Sequence, residues 1–307
     1  MGENKKMVGS EVMKEEIIVT LTTWSKRIGN IPYVLDTIYG QTVSPDKVVL
    51  NLAYDEVVPA DVQNYIDEHD IEVNRMPDWK VYKKLIPTLK KYPDACIISI
   101  DDDWLYPEGM IEDFMSIHNQ YPDFPISGNK EVIDGLQCHC GCASLTKASY
   151  FGEYLSVVDD DVMMNCPSDD MVYTYLASKT GHPYIRTVNE YFFNMQAYNA
   201  TEGYSHSVNA TNPIVSSMSY LEEHFGKIEV SFAPYMNNKY LTSLFDDICN
   251  KRLGQSAVEM KKQTEDRIYA TYSFRIGQAI VKPFRWLKGL LSCQANQDVK
   301  EKKHGQC

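Results

Sequence analysis

Apolar and polar positions along this chain fall into blocks whose period switches between that of a strand and that of a helix. Glu16-Ile17-Ile18-Val19-Thr20-Leu21 is a short, apolar, β-branched run, as a strand buried on both faces requires. Thr22 to Asn30 is a polar loop. Pro32 to Gln41 then sets Val34, Leu35 and Ile38 on one face of a helix. Lys47 to Leu52 predicts a second strand, Ala60 to His69 a helix and Ile71 to Val73 a third strand. Tyr82 to Lys91 predicts a helix that Pro87 must start or kink. Ala95 to Ile100 reads as a fourth strand and Glu108 to Gln120 as the helix after it.

Strand and helix therefore alternate four times, the pattern of a mostly parallel sheet flanked by helices. Ligands bind such sheets beyond the carboxyl ends of the strands. Residues 121–165 read as short strands and loops, and Asp169 to Lys179 as a helix stopped by Gly181. Ala200 to Asn212, rich in Ser, Asn and Gly, predicts a loop over the site. Helical stretches near 235–252 and 256–292 follow. The expected organisation is a disordered segment 1–14, one α/β catalytic domain 15–250 and a C-terminal helical extension 251–307.

Composition changes this picture only by exclusion. Hydrophobic residues at 44% and charged residues at 23% rule out wholesale disorder. A net charge of −12 disfavours a general nucleic-acid binder, so no nucleic-acid partner is expected. The polar start lacks the apolar run of a secretory signal, so none is expected, no stretch is long and apolar enough to span a membrane, and the eight cysteines read as reduced thiols. A cytoplasmic location is the expectation. Cys138, His139, Cys140 and Cys142 suggest zinc at first sight, but their spacing suits alternation along a strand better.

The chemistry concentrates after the fourth strand. Asp101-Asp102-Asp103 puts three mutually repelling acids at the end of a buried strand. In an extended chain Asp101 and Asp103 would share one side and Asp102 the other. Two carboxylates on one side make a hard-oxygen site for Mg²⁺ or Mn²⁺. Asp169 and Asp170 are paired acids at a helix N-terminus, with Ser168 available as the cap. A second acid run, Asp159 to Asp161, reads as an exposed loop.

Taken in order, Thr22-Thr23-Trp24-Ser25-Lys26-Arg27, Pro45-Asp46-Lys47, Val48 to Leu52, Tyr82 to Pro87, Ile97 to Asp103 and Pro167 to Tyr173 resemble the GT-A-fold glycosyltransferases. The family-2-like bacterial enzymes of surface polysaccharide synthesis look closest, and the resemblance covers roughly residues 16–190. It implies that Asp103 is the direct ligand of a Mn²⁺ or Mg²⁺ ion. Asp101 would lie toward the ribose or sugar as well as the ion, with Asp102 the less certain member. Thr22, Thr23 and Arg27 would hold the base and ribose of a nucleotide-diphospho-sugar donor. Lys84, with Lys83 as its rival, would meet phosphate or base. Asp170 would be the general base of an inverting transfer and Asp169 the second choice. The family's acidic signature after the second strand is missing, since Asn51 to Glu56 stands there, and Asp55 is the expected substitute. Trp104, Tyr106 and His139 are further candidates for sugar contact.

The net charge averages two unlike parts. Residues 251–307 hold 12 Lys plus Arg against 5 Asp plus Glu, while residues 1–250 hold 18 against 37. No acid occurs from Thr271 to Ser292. There Ile276, Ile280, Phe284, Leu287 and Leu291 oppose Arg275, Lys282, Arg285 and Lys288, the pattern of a helix lying on an anionic membrane. The expectation is an enzyme peripheral on the inner face of the plasma membrane. Its acceptor would be a glycan or lipid-linked glycan in capsule- or O-antigen-type synthesis. Two rivals are a nucleotidyl or phosphoryl transferase, which would want a Gly-rich loop where only Gly29 stands, and a non-catalytic carbohydrate-binding protein on the same fold.

Overall fold

The computed structural model describes residues 15–128, 132–133, 136–139, 141–186, 196–197 and 213–228. The expected segment 1–14, the loop 200–212 and the C-terminal extension lie outside them.

The strands are β1 (Ile17–Thr22), β2 (Lys47–Ala53), β3 (Glu72–Met76), β4 (Cys96–Ile100), β5 (Trp104–Leu105), β6 (Ile126–Ser127), β7 (Val132–Ile133), β8 (Leu136–Gln137), β9 (Ala143–Thr146), β10 (Ile185–Arg186) and β11 (Gln196–Ala197). The helices are α1 (Ile31–Tyr39), α2 (Ala60–Glu68), α3 (Ile86–Lys91), α4 (Met110–Gln120), α5 (Asp160–Asn165), α6 (Asp169–Lys179) and α7 (Pro213–Phe225). Seven strands form the central sheet in the order β10-β6-β9-β4-β1-β2-β3. β1 pairs in parallel with both β2 and β4, Val19 facing Val48 on one side and Ile98 on the other. β9 runs antiparallel to β4 and β6. Consecutive parallel strands thus leave β1 in both directions, which opens a crevice at the carboxyl ends of β1 and β4.

Local chemistry explains the elements. Ile17, Ile18, Val19 and Leu21 are buried, as are Ile97, Ile98 and Ile100, each worth about 1.5–3 kcal/mol of burial. Helix α1 buries Ile31, Val34, Leu35 and Ile38 and has Pro32 in its first turn, where the missing N–H costs nothing. The helix expected over 82–91 divides into a 3-10 turn, Lys80–Lys84, and α3, because Pro87 belongs to a first turn and cannot sit mid-helix. Helix α6 is buried from Met171 to Ser178 on all sides, a helix inside the core rather than on it.

One polar network crosses the core. Asn51 Nδ2 donates to Thr20 Oγ1 at 2.9 Å and to Thr88 Oγ1 at 3.1 Å. Thr20 Oγ1 lies 2.7 Å from both the Lys84 carbonyl and Thr88 Oγ1. It clamps the end of the 3-10 turn to β1 and β2 and so fixes where Lys84 starts.

At the amino ends of the same strands a second network forms. Glu15 Oε2 accepts from Cys96 Sγ at 3.3 Å and faces His118 Nε2 at 2.7 Å, while Lys147 Nζ pairs with Oε1. Among the described residues these are the only three ligand-type side chains gathered within 4.8 Å. Their atoms already satisfy one another, and the ammonium of Lys147 shares the carboxylate, so the group is a staple between β1, β4 and α4.

Candidate active site

β4 ends at Ile100 and the chain turns at once, so alternation along an extended strand does not extend to the three acids. Instead of Asp101 and Asp103 sharing a partner, Asp102 and Asp103 do. Arg27 Nη2 meets Asp102 Oδ1 at 2.8 Å and Arg27 Nη1 meets Asp103 Oδ2 at 2.6 Å. The loop after β1 presents this guanidinium because Arg27 and Ile28 both donate to the Trp24 carbonyl, curling the loop back over the crevice. The acidic turn is pinned through its backbone as well. The Asp101 N–H donates to Tyr106 Oη at 2.9 Å, Tyr106 donates to the Cys142 carbonyl at 2.6 Å, and Asn30 Nδ2 reaches the Asp102 carbonyl at 3.3 Å. Tyr106 is therefore a buried strut for the acids.

The two lysines diverge. Lys83 is buried and pairs with Asp78. Lys84 Nζ meets Asp101 Oδ1 at 2.8 Å and the Gly141 carbonyl at 3.2 Å, with Asp169 Oδ2 at 4.0 Å. Burial alone pushes the Lys84 ammonium toward neutrality, but Asp101, Asp169 and Asp170 hold its pKa well above the usual lysine range. Asp169 and Asp170 open α6, and Ser168 caps it by accepting from the Met171 N–H. The pair divides by exposure. Asp169 is buried, whereas the Asp170 side chain is 41% exposed and can meet a ligand.

The remaining candidates separate further. Thr23 is buried beside Asp102. Thr22 Oγ1 donates to the Asn51 carbonyl at 2.7 Å, tying β1 to β2. Asp55 is exposed in the turn after β2, next to Glu56, and pairs with neither Arg27 nor Lys84. Asp159 to Asp161 form the start of α5 rather than a loop, Asp159 capping the Asp161 and Val162 N–H groups. The expected strand over Cys138 to Cys142 is not formed at Cys138, His139, Gly141 or Cys142. These residues link β8 to β9, and Cys138 Sγ donates to the Leu136 carbonyl at 3.8 Å. The link contributes Gly141, which no pattern in the sequence singles out. A Cβ there would stand 3.1 Å from Lys84 Nζ, 3.2 Å from Asp170 Oδ1 and 3.5 Å from Asp101 Oδ2.

Five carboxylates thus face two cations, Arg27 and Lys84. Burial pushes the Asp102 carboxyl up to about 6 against the pull of Arg27. Burial and Asp101 raise Asp103, and burial outweighs Lys84 in raising Asp169. Asp169 Oδ2 is buried without a hydrogen bond. Hard-oxygen donors in excess of their cations suit a divalent cation such as Mg²⁺ or Mn²⁺, and among the described residues no three of these carboxylates yet come within 4.8 Å of one another.

Compared with protein-family models and with curated proteins, the sequence matches none. Solved structures do match. The chain is similar to the mannosyltransferase PcManGT of Pyrobaculum calidifontis, determined with GDP-Man and Mn²⁺, at a TM-score of 0.53 and 15% identity over 87% of this chain and 84% of that one. It is also similar to S. aureus TarS residues 1–349 in complex with UDP-GlcNAc, at a TM-score of 0.51 and 9% identity over 78% and 73%. Together with the seven-stranded, mostly parallel sheet and its flanking helices, this likeness establishes the GT-A fold for this chain.

Proposed function

We propose that this chain is a metal-dependent glycosyltransferase that moves a hexosyl group from a nucleotide-diphospho-sugar to a hydroxyl of a glycan acceptor. The observation that carries the reading is the convergence of Asp101 to Asp103, Arg27, Lys84 and the Asp169–Asp170 pair at the carboxyl ends of β1 and β4. The two GT-A neighbours, one bound to GDP-Man and Mn²⁺ and one to UDP-GlcNAc, support it.

In this reading Asp103 and Asp101 hold the ion, which when bound supplies positive charge to the leaving diphosphate. Lys84 and Arg27 are preorganised cations that keep the carboxylates in place and add to the field felt by that leaving group. Thr22, Thr23 and Arg27 border the nucleoside. Asp170, the exposed member of its pair, takes the proton of the acceptor hydroxyl, and the outcome is inversion at the anomeric carbon. Asp169 stays buried and sets the charge balance around Lys84. We assign the acceptor to the lipid-linked glycans of capsule- or O-antigen-type synthesis. The basic amphipathic segment after Thr271 would hold the enzyme on an anionic membrane surface, with truncation at Tyr272 releasing it from anionic liposomes. Unchanged co-sedimentation would remove the anchor.

Calorimetry with UDP and GDP, with and without Mn²⁺, tests the core of the reading. Binding of at least one nucleotide that requires the metal is expected. Asp103→Ala should abolish it, while Asp170→Ala should spare it and remove transfer. Failure of every nucleotide to bind in a metal-dependent way overturns the assignment.

A further inference from the structure

One buried group beside Asp170 is unused by this mechanism. His139 lies in the link between β8 and β9 and is fully buried. Its backbone N–H donates to Thr174 Oγ1 at 2.8 Å, and Thr174 Oγ1 donates to the Asp170 carbonyl at 2.7 Å, so imidazole and carboxylate are referred to the same turn of α6. The ring packs edge to face against Tyr173 and Tyr184, with centroids 5.0 and 5.4 Å away. Nδ1 is 3.0 Å from the Tyr184 hydroxyl. Nε2 is buried, has no hydrogen-bond partner and lies 3.9 Å from Asp170 Oδ1.

Burial, with Lys84 adding to it, pushes the His139 pKa well below its ordinary range, so the ring is neutral and carries one proton. Burial likewise raises Tyr184, which keeps its hydroxyl hydrogen. When that hydrogen goes to Nδ1, the imidazole proton sits on Nε2 and faces the carboxylate. The other tautomer sets a lone pair against a carboxylate oxygen where little water screens the repulsion. Electrostatics selects the Nε2–H form.

We propose that His139 is a positioning residue for Asp170: its Nε2–H, oriented by Tyr184 and Thr174, fixes one carboxylate oxygen so that the other faces the acceptor hydroxyl. The inference rests on the reading of Asp170 as the base. The 3.9 Å separation exceeds a hydrogen bond, and catalytic hydrogen bonds are often long before the ligand binds and tighten in the complex.

Two measurements test it. Imidazole ¹H–¹⁵N spectra of the full chain, assigned by loss of the His139 signals in His139→Gln, should show the Nε2–H tautomer. An Nδ1–H tautomer overturns the proposal, and this arm needs no turnover. The second measures nucleotide release from GDP-mannose and UDP-GlcNAc. His139→Gln keeps an N–H at the place of Nε2, and His139→Asn keeps one only at the place of Nδ1. With the donor that the wild type turns over, Asn should lower kcat about tenfold or more at nearly constant KM, the loss of a charge-assisted hydrogen bond. Gln should restore most of it. Equal kcat in all three proteins, or Asn and Gln falling together, overturns the role. If the wild type turns over neither donor and also fails to bind nucleotide, the transferase reading fails, while the tautomer still decides the His139–Asp170 pairing.

Discussion

The two ends of β1 and β4 carry opposite kinds of polar chemistry. At the amino end Glu15, Cys96, His118 and Lys147 satisfy one another. Against the upward push of burial, hydrogen bonds from Lys147, Cys96 and His118 bring the Glu15 carboxyl down to about 2. At the carboxyl end the acids outnumber their cations, burial raises Asp102, Asp103 and Asp169, and Asp169 Oδ2 and His139 Nε2 stay buried without hydrogen bonds. The same apolar strands support both ends, so the difference lies in what the loops bring. A satisfied network stabilises the fold, whereas an unsatisfied one is held in place by the fold and is available to a ligand.

Substitutions at the two ends should therefore read out differently. The largest effect expected is from Asp170→Asn, which should lower turnover by about 10²- to 10⁴-fold, the range of a lost general base, with thermal stability unchanged. A parallel fall in Tm would place Asp170 with the stabilising groups. Gly141→Ala comes next. Its Cβ would press on Lys84 Nζ and Asp170 Oδ1, and turnover should fall about tenfold from their misplacement alone. Full activity would show that the crevice is looser than its distances indicate. At the other end His118→Ala should cost about 2 kcal/mol in urea unfolding, because Glu15 and the buried Tyr150 hydroxyl both lose the imidazole as a partner. Metal-dependent nucleotide binding should survive it.

The smallest effects are the pH dependences, which have opposite signs. Glu15 titrates below its ordinary value near 4.5, so its contribution is present above that pH and is lost as pH falls toward 2. Asp102 titrates near 6, above its ordinary value of 3.8, so its contribution is full below about pH 4 and is lost as pH rises through 6. Unfolding followed from pH 3 to 8 in EDTA should show Glu15→Gln flattening the acid limb and Asp102→Asn flattening the limb around pH 6. The same slope change in both variants would erase the contrast.

Much of this arrangement was legible in the chain. The β-branched runs at 17–21 and 96–100 are too apolar to lie anywhere but in a sheet interior, and the acids that follow Ile100 must stand at its carboxyl edge. Ser168 before two acids announces the start of α6, and the structure caps it as the spacing requires. These features depend on neighbours within a few residues, where periodicity and capping act.

Tertiary structure decided the pairings. Lys83 and Lys84 are equivalent by sequence, and Lys84 faces the acids because Thr20 and Asn51, 64 and 33 residues away, grip its carbonyl. Asp102 and Asp103 share Arg27 because the chain turns directly after β4, which no alternation rule describes. Asp55 has the right charge after the right strand, and the turn after β2 leaves it exposed. His139 and Gly141 reach Asp170 only when β9 folds back antiparallel to β4 and carries their loop across the crevice. The sequence by itself determined which residues form the strands and helices and which charges sit at their ends, because those follow from local geometry and burial. Which charge meets which was settled by closing long loops against a packed sheet.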